Sequence, residues 1–133
     1  MAVFVLDAAA LLNNEGFSFD AGHSYYCPNG VFDEWKDFRS KALAENAFAS
    51  GVLRVVDACP LSVSQLGAFL RENGLKGLSA ADGALLALAF ELLAQFPLLT
   101  VVSDDFGVQN VCKLKKIRFV GVAQGKITRA RRF

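Results

Sequence analysis

The chain has a single histidine, His23, and only three cysteines, Cys27, Cys59 and Cys112, far apart from one another. With no Cys-x-x-Cys or Cys/His pairing, the sequence offers neither the ligand spacing of a zinc site nor a disulfide framework. The cysteines therefore read as buried free thiols. Neither type of glycine-rich phosphate loop is present, so a nucleoside triphosphate is not the expected ligand. No run of about 18 uncharged apolar residues exists. The most apolar stretch, residues 84–102, is interrupted by Glu91, Gln95 and Pro97 and reads as core rather than membrane anchor. The first seven residues lack a basic start and a cleavage site, which makes the cytoplasm the expected compartment. No acidic residue follows Asp105.

That last absence exposes a charge asymmetry inside a nearly neutral chain. Through Asp105, thirteen acids face six bases, a balance of −7; beyond it lie eight bases and no acid. The block Lys113, Lys115, Lys116, Arg118, Lys126, Arg129, Arg131 and Arg132 is the electrostatic footprint expected of a phosphate-backbone partner. A solvated basic tail is the plainer alternative.

With 53% hydrophobic residues in 133, the chain is long and apolar enough for one well-buried core. Short apolar runs at Ala2–Asp7, Val52–Asp57, Leu99–Ser103 and Ile117–Val122 read as strands. Between them, residues 8–12, 31–50, 62–73, 79–96 and 106–114 read as helices. Val31, Trp35, Phe38, Ala42 and Leu43 fall at helical spacing on one expected stripe, with Glu34 beside it. Ser62-x-x-Gln65 reads as a capping box, and Ser79-x-x-Asp82 as one with Asp in place of Glu. The segment from Glu15 to Asn29 reads as a loop in which His23, Tyr25 and Tyr26 either stack on exposed bases or pack. The alternation specifies an α/β domain with a mainly parallel sheet covered on both sides, occupying residues 1–122, with a basic tail at 123–133.

Three of these strands end on carboxylates: Asp7, Asp57 and the pair Asp104–Asp105. In open α/β sheets the crevice at the carboxyl ends of the strands is where ligands bind. Each Asp also has a plainer use as a helix cap. Asp82 sits at the rim of the buried helix, where an ionised group is costly unless paired or metal-bound. Acids gathered on one rim, with no histidine partner and no nucleophilic serine or cysteine in a recognisable setting, suit a hard cation such as Mg²⁺ or Mn²⁺. Metal-assisted attack on a phosphodiester matches both the acids and the basic block.

The ordered set Asp7, Glu34, Asp82 and Ser103-Asp-Asp105 resembles the acidic constellation of PIN-domain ribonucleases. The likeness is sharper to one branch, the Nob-type endonucleases of small-subunit ribosome assembly. It rests on Tyr26-Cys-Pro28 leading into Val31-Phe-Asp-Glu34-Trp-Lys-Asp37, on Leu78-Ser-Ala-Ala-Asp82 continuing into Leu86-Ala-Leu-Ala89, and on Ser103-Asp-Asp-Phe106 with Gln109-Asn110. The resemblance implies a three-layer α/β/α domain and divalent-metal-dependent cleavage of RNA, with the small-subunit rRNA precursor or the assembling subunit as partner. It implies Asp7, Glu34 and Asp82 as metal ligands, Asp104, Asp105 or both completing the set, and Ser103 hydrogen-bonding a ligand or a bound water. The sequence departs from this pattern in having Ala8 and Ala9 where many relatives carry hydroxyls, and in lacking the zinc ribbon that usually follows in the Nob-type branch. A PIN-type toxin ribonuclease and a non-catalytic RNA- or protein-binding module of the same fold are the alternatives. The oligomeric state is not specified by the sequence.

Overall fold

Val3–Leu6, an unbroken apolar run, forms the central strand β1 of the computed structural model, which describes residues 1–122. The remaining strands are β2 (Ser24–Cys27), β3 (Leu53–Val55), β4 (Thr100–Val102) and β5 (Arg118–Val120). All four pairings are parallel and the spatial order is β3-β2-β1-β4-β5. The chain lays β2 and β3 to one side of β1, then returns to lay β4 and β5 on the other. The order thus reverses between β1 and β4, the position where open parallel sheets form their ligand crevice.

Six helices cover the two faces: α1 (Ala9–Leu12), α2 (Asn29–Glu34), α3 (Phe38–Ala49), α4 (Pro60–Glu72), α5 (Ala80–Leu93) and α6 (Phe106–Lys115). On one face Val3, Val5, Tyr26, Val101 and Phe119 pack against Leu66 of α4, Leu85 to Ala89 of α5, and Val108, Val111 and Cys112 of α6. Helix α5 is apolar on all sides because neighbours surround it: residues 85–89 are all buried. On the other face Phe4, Leu6, Tyr25, Cys27, Val102 and Val120 meet Leu11, Val31, Trp35, Ala44 and Ala47. The fold is the expected α/β/α sandwich.

Four local expectations need correction. Ser24–Cys27 is a sheet strand, not loop: Tyr25 stacks on Phe4, with ring centroids 5.4 Å apart, and Tyr26 packs in the opposite core. His23 accepts the Ala2 amide at its Nδ1, 2.9 Å away. These three side chains are thus in packing and backbone contacts. The helix expected over 31–50 breaks into α2 and α3, because the Asp37 carboxylate accepts the Ser40 amide at 3.0 Å and starts a new helix. Phe38 consequently leaves the stripe and is 92% exposed. Helix α4 begins at Pro60 with Cys59 as its N-cap residue, since proline at the first helical position comes with its φ already set. The Cys59 amide donates to Glu91 Oε1 at 2.7 Å in place of a Ser62 capping box. Cys59 is exposed, while Cys27 and Cys112 are buried, and burial pushes both of their thiols up to about 12.

Candidate metal centre at the switch point of the sheet

The Asp7 amide donates to Val102 O and the Ser103 amide to Val120 O, both at 3.0 Å, so the sheet ladder fixes the ends of β1, β4 and β5 side by side. Asp7 and Ser103 are the residues that follow β1 and β4. The fully buried Ser103 hydroxyl donates to Asp7 Oδ2 at 2.9 Å and accepts the Asp105 amide at 3.1 Å, tying the two strand ends together across the switch point. Asp7 thus receives hydroxyl support from the neighbouring strand, although alanines follow it in sequence. Beneath it, Trp35 Nε1 donates to Ala8 O at 2.9 Å and locks the turn after β1.

The adjacent carboxylates Asp104 and Asp105 take different paths. Asp105 caps α6, accepting the Val108 amide at 2.9 Å. Asp104 turns toward the end of β5 and accepts the Val122 amide at 2.6 Å. A Cβ at Gly121 would lie 2.7 Å from Asp104 Oδ1, so this brace requires glycine there. Gln109 completes the turn by donating to Ser103 O at 2.7 Å.

Asp82 reaches the site from the first turn of α5, where the Ser79 hydroxyl accepts its amide at 3.1 Å. Desolvation by burial raises its carboxyl above the ordinary value, the Ser79 hydrogen bonds pull it down, and the negative charges of Asp105 and Asp7 push it up further. Three carboxylates from β1, α5 and α6 therefore share one electrostatic neighbourhood. Glu34 is exposed at the end of α2. Asp57 is committed elsewhere, accepting the Asn29 amide and side chain at 3.0 and 3.2 Å.

Oxygen donors alone, with the negative charges of Asp105 and Asp7 acting on Asp82, fit a hard divalent cation, because added positive charge relieves the repulsion. Among the described residues no three acidic, histidine or cysteine side chains are drawn together tightly enough to form a ready-made metal cage. The arrangement is a set of separate carboxylates at the end of β1 and at the starts of α5 and α6. Of the basic residues, Lys113, Lys115 and Lys116 are exposed and Arg118 is half-buried. Lys115 lies over the rings of Phe69 and Phe90, 5.5 and 5.1 Å from their centroids. Lys126, Arg129, Arg131 and Arg132 lie outside the described residues.

Gln109, Gly121 and Trp35 are the supporting residues that spacing alone does not identify as such. Gln109 and Trp35 occur in the motifs that carry the family resemblance; nothing in the sequence around Gly121 marks its contact with Asp104.

Residues 4–92 match a family described as the PIN domain of ribonuclease. The chain is 33% identical over 119 residues to endoribonuclease Nob1 of Methanothermobacter thermautotrophicus, covering 89% of this chain and 67% of that protein. It is 36% identical over 101 residues to endoribonuclease Nob1 of Pyrococcus abyssi, covering 75% of this chain and 60% of the relative. To endoribonuclease Nob1 of Methanocaldococcus jannaschii it is 30% identical over 123 residues, covering 92% and 58%. The chain thus spans between 58 and 67% of the length of these relatives. Among solved structures, one from the crystal of VapBC2 of Rickettsia felis bound to a promoter DNA fragment superposes with a TM-score of 0.53 at 12% identity, covering 90% of this chain and 98% of that one. At that identity the likeness speaks to the fold alone.

Proposed function

Since this chain belongs to the PIN-domain ribonuclease family, we propose that it is a divalent-metal-dependent endoribonuclease whose centre is built from Asp7, Asp82 and Asp105. The observation that carries this reading is the Ser103 hydroxyl, which donates to Asp7 Oδ2 and accepts the Asp105 amide and so ties these two residues together across the switch point; burial, and then their negative charges, raise the Asp82 carboxyl beside them. Asp7, Asp82 and Asp105 would hold a divalent cation, which when bound would supply charge neutralisation at a phosphate and a more acidic bound water. Asp7 is oriented by the Ser103 hydroxyl, and Asp105 by its cap to α6. Asp104 acts as a positioning residue through its bond to Val122, and Glu34 acts from the rim of α2. The cation is Mg²⁺ or Mn²⁺, which accept all-oxygen sites.

The substrate is an RNA precursor of the small ribosomal subunit, processed at its 3′ end, as the sequence likeness to endoribonuclease Nob1 over most of the chain supports. Residues 1–122 form the nuclease body and the basic residues of 123–133 add to its attraction for RNA. Among the described residues no helix is long and apolar enough to cross a membrane.

The test is cleavage of a labelled single-stranded RNA spanning the small-subunit rRNA 3′ end, by the wild type and Asp82→Asn, with Mn²⁺, Mg²⁺ or EDTA. Metal-dependent cutting at the mature end, lost in Asp82→Asn, is expected. Cutting elsewhere would reassign the substrate, and cutting that survives EDTA would overturn the metal centre.

A further inference from the structure

The residue that follows Asp105 is a phenylalanine, and it is 86% exposed. Most aromatic rings of this protein pair with one another, whereas Phe106 makes no ring contact among the described residues. Isolated exposed apolar residues are common on protein surfaces, so exposure alone identifies nothing. Its neighbours add to it. Phe106, Asn110 and Lys113 stand at i, i+4 and i+7 of α6 and so share one helix face, and all three are exposed. The row runs about 10 Å from the carboxylates toward the end of the helix, in the order aromatic ring, amide, ammonium. Lys115, on another side of the helix, is occupied by Phe69 and Phe90. The start of α6 is also held in place. A Cβ at Gly107 would lie 3.1 Å from both Leu78 Cδ2 and Asp105 Oδ1, so glycine lets α6 sit close against the segment that leads into α5 and Asp82.

We propose that this face of α6 carries the unpaired RNA strand leading away from the carboxylates, with Phe106 stacking on a base, Asn110 hydrogen-bonding along the strand and Lys113 pairing with a phosphate. The proposal rests on the nuclease reading for the polymer it names, and it adds which surface holds that polymer. A ring beside the acids offers every base a face to stack on, so contact at Phe106 tolerates any sequence but requires a base. Lys113 requires only the backbone.

The experiment is fluorescence anisotropy of a labelled single-stranded RNA with the full chain in EDTA, where binding is read without cleavage. It is repeated with a strand of the same length that carries abasic sites. Phe106→Ala is expected to weaken binding of the intact strand roughly fivefold or more and to leave the abasic strand unaffected. Phe106→Trp is expected to retain binding, with the added indole quenched by the intact strand; the native Trp35 is buried. Lys113→Gln is expected to weaken both strands alike and to lower the salt slope by about 1. Leu98→Ala removes an exposed side chain before β4, at the end of the strands opposite the carboxylates, and is expected to change neither. Phe106→Ala binding both strands as the wild type does, or weakening both equally, overturns the stacking role. Metal-dependent cleavage is scored separately with Asp82→Asn. A wild type that binds as described but never cuts removes the nuclease reading alone, and one that cuts while Phe106→Ala binds normally removes the strand path alone.

Discussion

The two helical layers of this protein are built to different standards. The layer of α4, α5 and α6 consists of helices of ten to fourteen residues. Two of these open on a side-chain cap that belongs to the site, Ser79 for α5 and Asp105 for α6. The layer of α1, α2 and α3 includes helices of only four and six residues. It also buries Asn14 Nδ2, which has no hydrogen-bond partner among the described residues. The first layer supplies Asp82 and Asp105, whose positions follow from rigid helix starts. The second offers Glu34 from the exposed end of a short helix. The difference separates carboxylates that are placed by caps from one that is placed by the chain around it.

The sharpest way to break this contrast is kinetic. Asp82→Asn is expected to lower the cleavage rate roughly 10²- to 10³-fold, the scale of losing a directed electrostatic group. Glu34→Gln is expected to cost about 10- to 100-fold, the scale of a supporting partner. Single-turnover cleavage at saturating Mn²⁺ measures both, and equal losses would erase the distinction between the layers.

Stability gives the next test. Leu86, fully buried in α5, is expected to lose about 2–5 kcal/mol on Leu86→Ala. Asn14→Ala is expected to cost less than about 1 kcal/mol, because the buried Asn14 Nδ2 has no hydrogen-bond partner to lose among the described residues. Urea titrations followed by circular dichroism read both, and an Asn14→Ala loss as large as that of Leu86→Ala would show that the second layer is as well satisfied as the first.

A smaller effect is the pH dependence of the metal-free protein. Asp82 binds its proton more tightly in the folded state than its ordinary value of 3.8 implies. Between the two values the native state therefore holds more protons than the unfolded one, and Asp82's contribution to stability falls as pH rises through that window. Asp82→Asn should remove this slope from the melting temperature, and Mn²⁺ should reverse it in the wild type. The smallest effect is chemical. In the native protein at pH 8, iodoacetamide should label Cys59 and spare Cys27 and Cys112, which burial keeps as thiols up to about 12. Intact-mass spectrometry should then show one adduct.

The same contrast governs what was legible in the sequence. β1, β3, β4 and β5 announce themselves as short apolar runs, and α5 and α6 by their caps and apolar positions. β2 does not, because Ser24-Tyr-Tyr-Cys27 has no aliphatic run and is flanked by loop-like residues; its strand character comes from Tyr25 and Tyr26 packing on opposite faces of the sheet. The break between α2 and α3 was hidden because Asp37 looks like any solvated acid until its carboxylate meets the Ser40 amide. Within the candidate site, the strand-end acids were visible as types. The divergence of Asp104 from Asp105 was not, since it depends on which carboxylate lies near the helix start and which lies near the amide after β5.

The buried hydroxyl of Ser103 has only one proton, and it is spent on Asp7. The chain from the Asp105 amide through Ser103 Oγ to Asp7 Oδ2 therefore has a polarity: each dipole turns its positive end toward Asp7. Linked hydrogen bonds of one direction strengthen one another, so the amide of Asp105, the cap of α6, acts on the carboxylate that follows β1. Reversing the direction at Ser103 would require Asp7 to carry a proton. The serine thus works as a one-way valve for polarisation, aimed at the Asp7 carboxylate.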